Sequence, residues 1–204
     1  MKAIFKKEIN TFFADYIGFI VLSLYWVINI LFLWITNSNY NILNTGNANL
    51  IPFFEFSAIA LIFLIPAIGM KSFTEEQKLG TLELLYTKPI SKLSLVMGKF
   101  FAILAIVCIA LIPSSLFIVY LSTIVNVTQS LDFSAIVGSY LGLLFLIFAF
   151  SALALLASSL TKNLILAFSL GVVFSLISFF AFKIMTKIIV QYKQLPYQYQ
   201  NLIR

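Results

Sequence analysis

Residues 100–107 read Phe-Phe-Ala-Ile-Leu-Ala-Ile-Val, a run that is apolar on every face. A membrane β-strand would instead have about ten residues in strict alternation of apolar and polar side chains. A helix can be apolar all round when lipid surrounds it, and about 20 such residues cross a hydrocarbon core roughly 30 Å thick. The run therefore predicts a transmembrane helix.

The same kind of apolar stretch occurs five times along the chain. We predict membrane spans near residues 17–35, 52–70, 100–124, 135–160 and 164–184. The composition agrees, because 62% of the 204 residues are hydrophobic and only 10% are charged, whereas soluble domains carry roughly 25% charged residues. The sequence thus predicts an all-α, polytopic membrane protein with about five transmembrane helices.

The residue types exclude most enzyme classes. The chain has no histidine, and its one cysteine, Cys108, lies inside an apolar run. Histidine-dependent triads, the usual zinc ligands and an intramolecular disulfide are therefore absent. The net charge of +6 lies at the ends of apolar runs and forms no basic patch interleaved with aromatic residues. We expect no catalysis, no cofactor, no metal and no nucleic-acid partner, and we expect membrane lipid as the main surroundings.

The lysines alternate between successive connections. Three precede the first span and five lie in the connection 71–99, but the connections 37–51 and 125–134 have none. The positive-inside rule then places the N-terminus and connection 71–99 on the cytoplasmic side of an inner (cytoplasmic) membrane. The basic tail, 185–204, breaks this alternation. Either the chain stops short of a sixth span, or the tail is an amphipathic or disordered surface segment.

The N-terminal segment has helical periodicity before the first span. Its apolar residues repeat on one side and its lysines lie on the other, which predicts an amphipathic helix over residues 2–14. We expect this helix to lie on the cytoplasmic leaflet with its lysines toward lipid phosphates. The alternative is a simple charged flank that assists insertion. The apolar residues are Ile4, Phe5, Ile9, Phe12 and Phe13.

A polar segment, residues 71–94, departs sharply from the apolar runs on both sides. Thr74 is in a suitable position to cap a helix whose first turn contains Glu75 and Glu76. Leucines at 79, 82 and 85 would share one face of this helix, and Pro89 would end it. The pattern predicts a short cytoplasmic amphipathic helix followed by a turn at Lys88-Pro89, with an ordinary surface loop as the alternative.

Residues 75–91 read Glu-Glu-x-x-x-Gly-Thr-Leu-Glu-Leu-Leu-x-Thr-x-Pro-Ile-Ser, and Gly98-Lys99-Phe100 follows shortly after. This pattern resembles the signature of type-2 ABC exporter permeases. Three stretches, 5–10, 73–91 and 138–145, more narrowly resemble the gliding-motility-associated ABC transporter permease subunit of Bacteroidetes. The resemblance extends from residue 1 to about residue 184, which would form the transmembrane permease domain.

The resemblance implies a coupling function for residues 71–94. In that family the segment after the second span docks on a separate ATP-binding subunit, and closure of the ATP-bound subunits would push on residues 73–85 and repack spans two and three. Two acidic residues would supply docking charge, a glycine would permit close approach, and a further glutamate would orient the helix. The implied coupling residues are Phe73, Glu75, Glu76, Gly80, Thr81, Glu83 and Pro89.

The resemblance also bears on partners and completeness. It implies a second permease copy or a sister permease. It also implies that another chain hydrolyses ATP. This agrees with the absence of a Walker A motif, because Leu93 and Phe100 occupy two of the motif's fixed positions. The family normally has six spans, whereas this chain ends at Arg204 after five.

Two other functions remain open from the sequence. An ATP-independent channel or secondary transporter should have several intramembrane charges or broken helices, and only Glu55, expected near the interface, and Pro113, expected to kink the third span, come close. A noncatalytic anchoring or assembly protein would use the charged segment merely to recruit a partner. Polar residues such as Asn29, Ser114 and Ser115 would line a substrate path or bond between helices.

Overall fold

The computed structural model describes residues 1–36, 50–82, 91–124 and 133–200. Every regular element in these ranges is helical. A π-helical turn, Leu31–Ile35, extends α2, and a 3-10 turn, Ile112–Ser114, joins α5 to α6. The helices are α1 (Lys2–Ala14), α2 (Tyr16–Ile30), α3 (Ile51–Gly69), α4 (Lys71–Lys78), α5 (Lys92–Leu111), α6 (Ser115–Ile124), α7 (Phe133–Ser159) and α8 (Leu164–Gln200).

Five helical stretches of the described chain are long and apolar enough to cross a membrane. This finding confirms the all-α class and the predicted number of spans. The stretches are Tyr16–Ile35, Ile51–Lys78, Lys92–Tyr120, Phe133–Ser159 and Leu164–Ile188.

The stretch that contains α3 is the centre of the bundle. In the most apolar 18 residues of this stretch, 67% of the residues are buried, against 22% in the stretch that contains α2 and 17% in the stretch that contains α8. Small residues let its neighbours approach closely. A Cβ added at Gly69 would lie 2.8 Å from the Cβ of Ala154 on α7, and one at Gly171 would lie 2.9 Å from the Cβ of Pro66. Helices α7 and α8 therefore pack directly against the backbone at the end of α3.

Polar side chains inside the bundle bond between helices. The Nδ2 of Asn29 donates to the carbonyl of Tyr25 at 2.8 Å, and its Oδ1 accepts from the Ser57 hydroxyl of α3 at 3.3 Å. The hydroxyls of Ser114 and Tyr140 lie 2.7 Å apart. Asn29 and Ser114 thus hold helices together, while the Ser115 hydroxyl donates to the carbonyl of Ile112 in its own turn.

Two helix starts differ from the sequence-based expectation. The prediction of Thr74 as an N-cap is wrong, because α4 begins at Lys71 and is separated from α3 only by Met70, which has helical backbone angles. The third span starts at Lys92 rather than near residue 100, so that Lys99 lies inside α5. The predicted turn at Lys88-Pro89 lies outside the described residues.

Three other expectations concern single elements. A helix does occupy the N-terminal segment, Lys2–Ala14. Pro113 lies in the 3-10 turn that interrupts the third span, where a kink was predicted. In the tail, α8 continues as helix through Gln200.

Candidate functional site

The site lies at one end of the bundle, where α4 meets α1, α5 and α7. We call this the α4 end. Lys71, the first residue of α4, forms an ion pair with Asp15, which lies between α1 and α2. The other carboxylate oxygen of Asp15 accepts from the Ile17 N–H at 3.1 Å and so caps α2. The hydrogen bond from Lys71, with that from Ile17, lowers the pKa of Asp15 below its ordinary 3.8.

A lysine ammonium is buried at the centre of the site. The Lys99 side chain is 1% exposed, and its Nζ donates to Glu8 Oε1 at 2.9 Å and to the carbonyl of Ser72 at 2.6 Å. The same ammonium lies 3.0 Å from Glu76 Oε2 and 5.0 Å from the centre of the Phe73 ring. Helix α1 thus contributes the carboxylate of Glu8, α4 contributes the carboxylate of Glu76, and α5 contributes the cation that they share, Lys99.

A second lysine completes an ion cluster that we define as Lys7, Glu8, Glu76 and Lys99. Lys7 Nζ donates to Glu76 Oε1 at 2.8 Å and lies 3.7 Å from Glu8 Oε1. Burial acts to lower the pKa of Lys7. The hydrogen bond to Glu76 and the negative charges of Glu76 and Glu8 outweigh this effect and raise the pKa above 10.5. With two lysines and two glutamates, the ion cluster is electrically balanced.

The opposite side of α4 contacts the end of α7. The Thr74 hydroxyl donates to the carbonyl of Ser158 at 2.9 Å, and Gln77 Nε2 donates to the carbonyl of Ser159 at 2.9 Å. Carbonyls in the last turn of a helix have no partner within that helix. Helix α4 therefore supplies the missing donors for α7 and is fixed to it.

The far end of α4 is open to solvent. Leu79 is 68% exposed, and Lys78 and Gly80 are also exposed. Gly80 has φ +70, a left-handed conformation that ends the helix and favours glycine, and a Cβ there would meet nothing within 4 Å. We call Lys78, Leu79 and Gly80 the α4 tip. It presents a cation and an apolar side chain to whatever faces this end of the bundle.

The residues predicted from the sequence fall in three places. Phe73 and Glu76 are buried against Lys99, and Gly80 is at the exposed tip. Glu75 and Thr81 are half-buried and line a cleft of about 250 Å³ between α1, α4 and α5. Two further predicted residues, Glu83 and Pro89, lie outside the described residues.

Sequence reasoning missed the partners of α4. From the sequence alone, Lys99 falls in the connection 71–99, and no pattern singles out Glu8 as its partner. One signal was present: Lys99 is followed directly by the apolar run of residues 100–107, and a lysine in that position must either reach the interface or find a buried partner. In the ranges that the structure describes, no group of three or more acidic or cysteine side chains could hold a metal ion.

Comparison with known proteins adds the family. The family model described as "ABC-2 family transporter protein" matches residues 2–203. No curated protein and no solved structure matches the chain. The match covers nearly the whole sequence and agrees with five membrane-crossing helices. The chain therefore belongs to the ABC-2 transporter family, whose members are membrane permeases of ABC transporters that work with an ATP-binding partner.

Proposed function

We propose that this permease is part of an exporter and that α4 couples ATP hydrolysis in a separate subunit to transport. The observation that carries the proposal is the position of α4. It continues the central helix α3, its sides are bonded to α1, α5 and α7, and its tip is exposed. A partner that pushes on the tip would therefore move the helix in contact with most of the bundle.

The bonds around α4 favour transmission of force over local yielding. Thr74 and Ser72 are buried where they bond to α7 and α5, and a buried polar group that loses its partner costs about 1–3 kcal/mol. A displaced α4 keeps these bonds only if the ends of α5 and α7 move with it. The movement would reach the centre of the bundle through α3, which packs closely on α7 at Gly69.

The charge distribution supports a cytoplasmic position for the α4 end. Lysines of α1, α4 and α5 and of the turn before α8 gather there, as the positive-inside rule expects for the cytoplasmic face of a bacterial inner membrane. ATP-binding subunits need cytoplasmic ATP, so the exposed tip would be on the side where the partner is. The N-terminus is then cytoplasmic.

The permease is proposed to pair with a second copy or a sister permease. The outer helices α2 and α8 carry large apolar side chains at their surfaces, which suits contact with lipid or with another membrane subunit. The resemblance of residues 5–10, 73–91 and 138–145 to a gliding-motility-associated permease supports export in gliding motility as the wider role.

Co-purification tests the proposal. The chain is isolated in detergent with candidate ATP-binding subunits, and the native sequence is compared with a double variant, Glu75→Lys and Leu79→Asp. We expect an ATPase to be recovered with the native chain and to be lost with the variant, which changes exposed or half-exposed side chains only. Glu76 is left unchanged, because reversing its charge would place a third cation in the ion cluster.

Lys162→Glu provides the control. This exposed lysine lies in the turn between α7 and α8, at the same end of the bundle, and is not part of the α4 tip. The control variant should retain the ATPase. Recovery of no ATPase with a well-folded native chain would contradict the proposal and favour an anchoring protein or an ATP-independent channel.

A further inference from the structure

We infer that Lys99 is a positioning residue that fastens α1 and α4 to one point on α5, so that α1 moves with α4 when the partner subunit acts. This inference rests on the proposed coupling function. The one ammonium that α5 supplies donates a hydrogen bond to Glu8 of α1 at 2.9 Å and forms an ion pair with Glu76 of α4 at 3.0 Å.

The burial of Lys99 favours a geometric function for this contact beside any contribution to stability. A lysine side chain that is 1% exposed has lost its hydration, and a buried ion pair often stabilises no more than apolar side chains of the same volume would. What charged groups add is a fixed geometry, because each carboxylate must remain within bonding distance of the ammonium. Apolar contacts between the same helices would tolerate sliding.

The approach of α1 to α5 is also built for this contact. A Cβ at Gly98 would lie 3.0 Å from the Cβ of Ile4 and 3.3 Å from the carbonyl of Met1, so that α1 rests on the backbone of α5. Ile4 and Glu8 are four residues apart and share a helix face. The glycine thus brings Glu8 within reach of Lys99, the next residue along α5.

A second contact fixes the other end of α1. Asp15 follows α1 directly, caps α2 and pairs with Lys71 at the start of α4. Helix α1 is therefore held to α4 at two places, through the ion cluster and through Asp15. A displacement of α4 would carry α1 with it and reach α2 through the same carboxylate.

The first test uses the permease alone in lipid nanodiscs, so that its result does not depend on any ATPase. Spin labels are placed at two exposed positions, Ala3→Cys on α1 and Lys78→Cys on α4, in a Cys108→Ser background. We expect one narrow distance distribution. The triple variant Lys99→Met, Glu8→Gln and Glu76→Gln, whose three new side chains are uncharged, should lose the single narrow peak, and an unchanged distribution in that variant would overturn the inference.

The second test uses the complex with the ATP-binding subunit. The triple variant keeps the α4 tip and should bind the subunit as the native chain does, with the same KM for ATP. The permease-dependent change in kcat should fall about fivefold or more, the range of ordinary allosteric coupling. Lys162→Met, which removes an exposed lysine at the same end, should change neither constant.

The outcomes of the two tests separate the claims. A triple variant that retains the full permease-dependent kcat would mean that Lys99 serves stability alone, and the inference would fail. If the native chain binds no ATPase, the proposed function fails, and the distance measurement still decides whether Lys99 fastens α1 to α4. The triple variant leaves no carboxylate of the ion cluster without its cation and keeps the charge of the exposed Lys7 alone, so it remains informative where Lys99→Met alone does not fold.

Discussion

At the scale of the residue, Lys99 is the side chain whose loss should matter most. Replacing it by Met leaves the half-buried carboxylate of Glu8 and the buried carboxylate of Glu76 near each other, with the exposed Lys7 as their partner in the ion cluster. Breaking a buried ion pair by removing one partner costs about 3–5 kcal/mol. We expect Lys99→Met to lower the free energy of unfolding in detergent by this amount.

A matched variant separates burial from charge in that measurement. Lys162→Met also removes one positive charge at the α4 end, but from an exposed side chain, and exposed substitutions usually change the free energy of unfolding by less than about 0.5 kcal/mol. Equal stability of the Lys99→Met and Lys162→Met variants would contradict the buried ion cluster.

Asp15 gives a dependence on pH with a definite sign. Lys71 lowers the pKa of the folded carboxyl below 3.8, so the unfolded chain binds a proton first as the pH falls. The contribution of Asp15 is present above its ordinary pKa and is lost as the pH falls through the lowered value. Asp15→Asn removes the charge but keeps an oxygen that can cap α2.

Thermal unfolding across pH measures this contribution. The native chain should unfold at a higher temperature than Asp15→Asn at neutral pH, and the difference should shrink as the pH falls through the lowered pKa of the folded Asp15 carboxyl. A difference that stays constant between these conditions would show that the ion pair with Lys71 contributes nothing.

Single side chains were the least predictable part of the site. The sequence indicated that Glu75 and Glu76 share a polar segment, but not that both line a cleft and that Glu76 alone of the two binds Lys99. Thr74 had the right residue type for a cap, yet α3 runs almost directly into α4 and leaves no exposed helix start there. Such assignments depend on which helices are neighbours, and local pattern does not contain that information.

At the scale of the helix, close packing makes a clear prediction about glycines. A Cβ at Gly69 would lie 2.8 Å from the Cβ of Ala154, which cannot rotate away. Overpacking of this kind typically costs about 1–3 kcal/mol. Gly69→Ala should therefore destabilise the chain by separating α3 from α7.

The control is a glycine in open surroundings. A Cβ at Gly138 on α7 would meet nothing within 4 Å, and alanine is the better helix former by about 1 kcal/mol. Gly138→Ala should leave stability unchanged or raise it slightly, as measured by unfolding in detergent. If Gly69→Ala were equally well tolerated, the close contact between α3 and α7 would be wrong.

The existence of helices followed from the sequence, but their starts did not. Apolar runs of about 20 residues left helices as the only reasonable form in lipid. The start of α5 is instead set by Ser91, whose hydroxyl accepts from the Ser94 N–H at 3.3 Å. A search for apolar runs overlooks this polar first section, and with it the position of Lys99 inside the helix.

At the scale of the whole molecule, five crossings and the charge distribution together predict topology. The α4 end should face the cytoplasm, and the connections 37–49 and 125–132 should lie on the other side. In a Cys108→Ser background, Ser38→Cys should react with a membrane-impermeant maleimide in intact cells. Lys162→Cys should react only after the membrane is permeabilised, and the reverse pattern would invert the proposed orientation.

Docking of the α4 tip on an ATP-binding subunit is the central claim of this account. The most direct measurement places a photo-reactive amino acid at Leu79 and identifies what it cross-links to in cells, with the same probe at Phe145, which is 75% exposed on α7, as the control. The account predicts a cross-link from position 79 to an ATP-binding subunit and none from position 145. A cross-link to that subunit from position 145 but not from position 79 would contradict it.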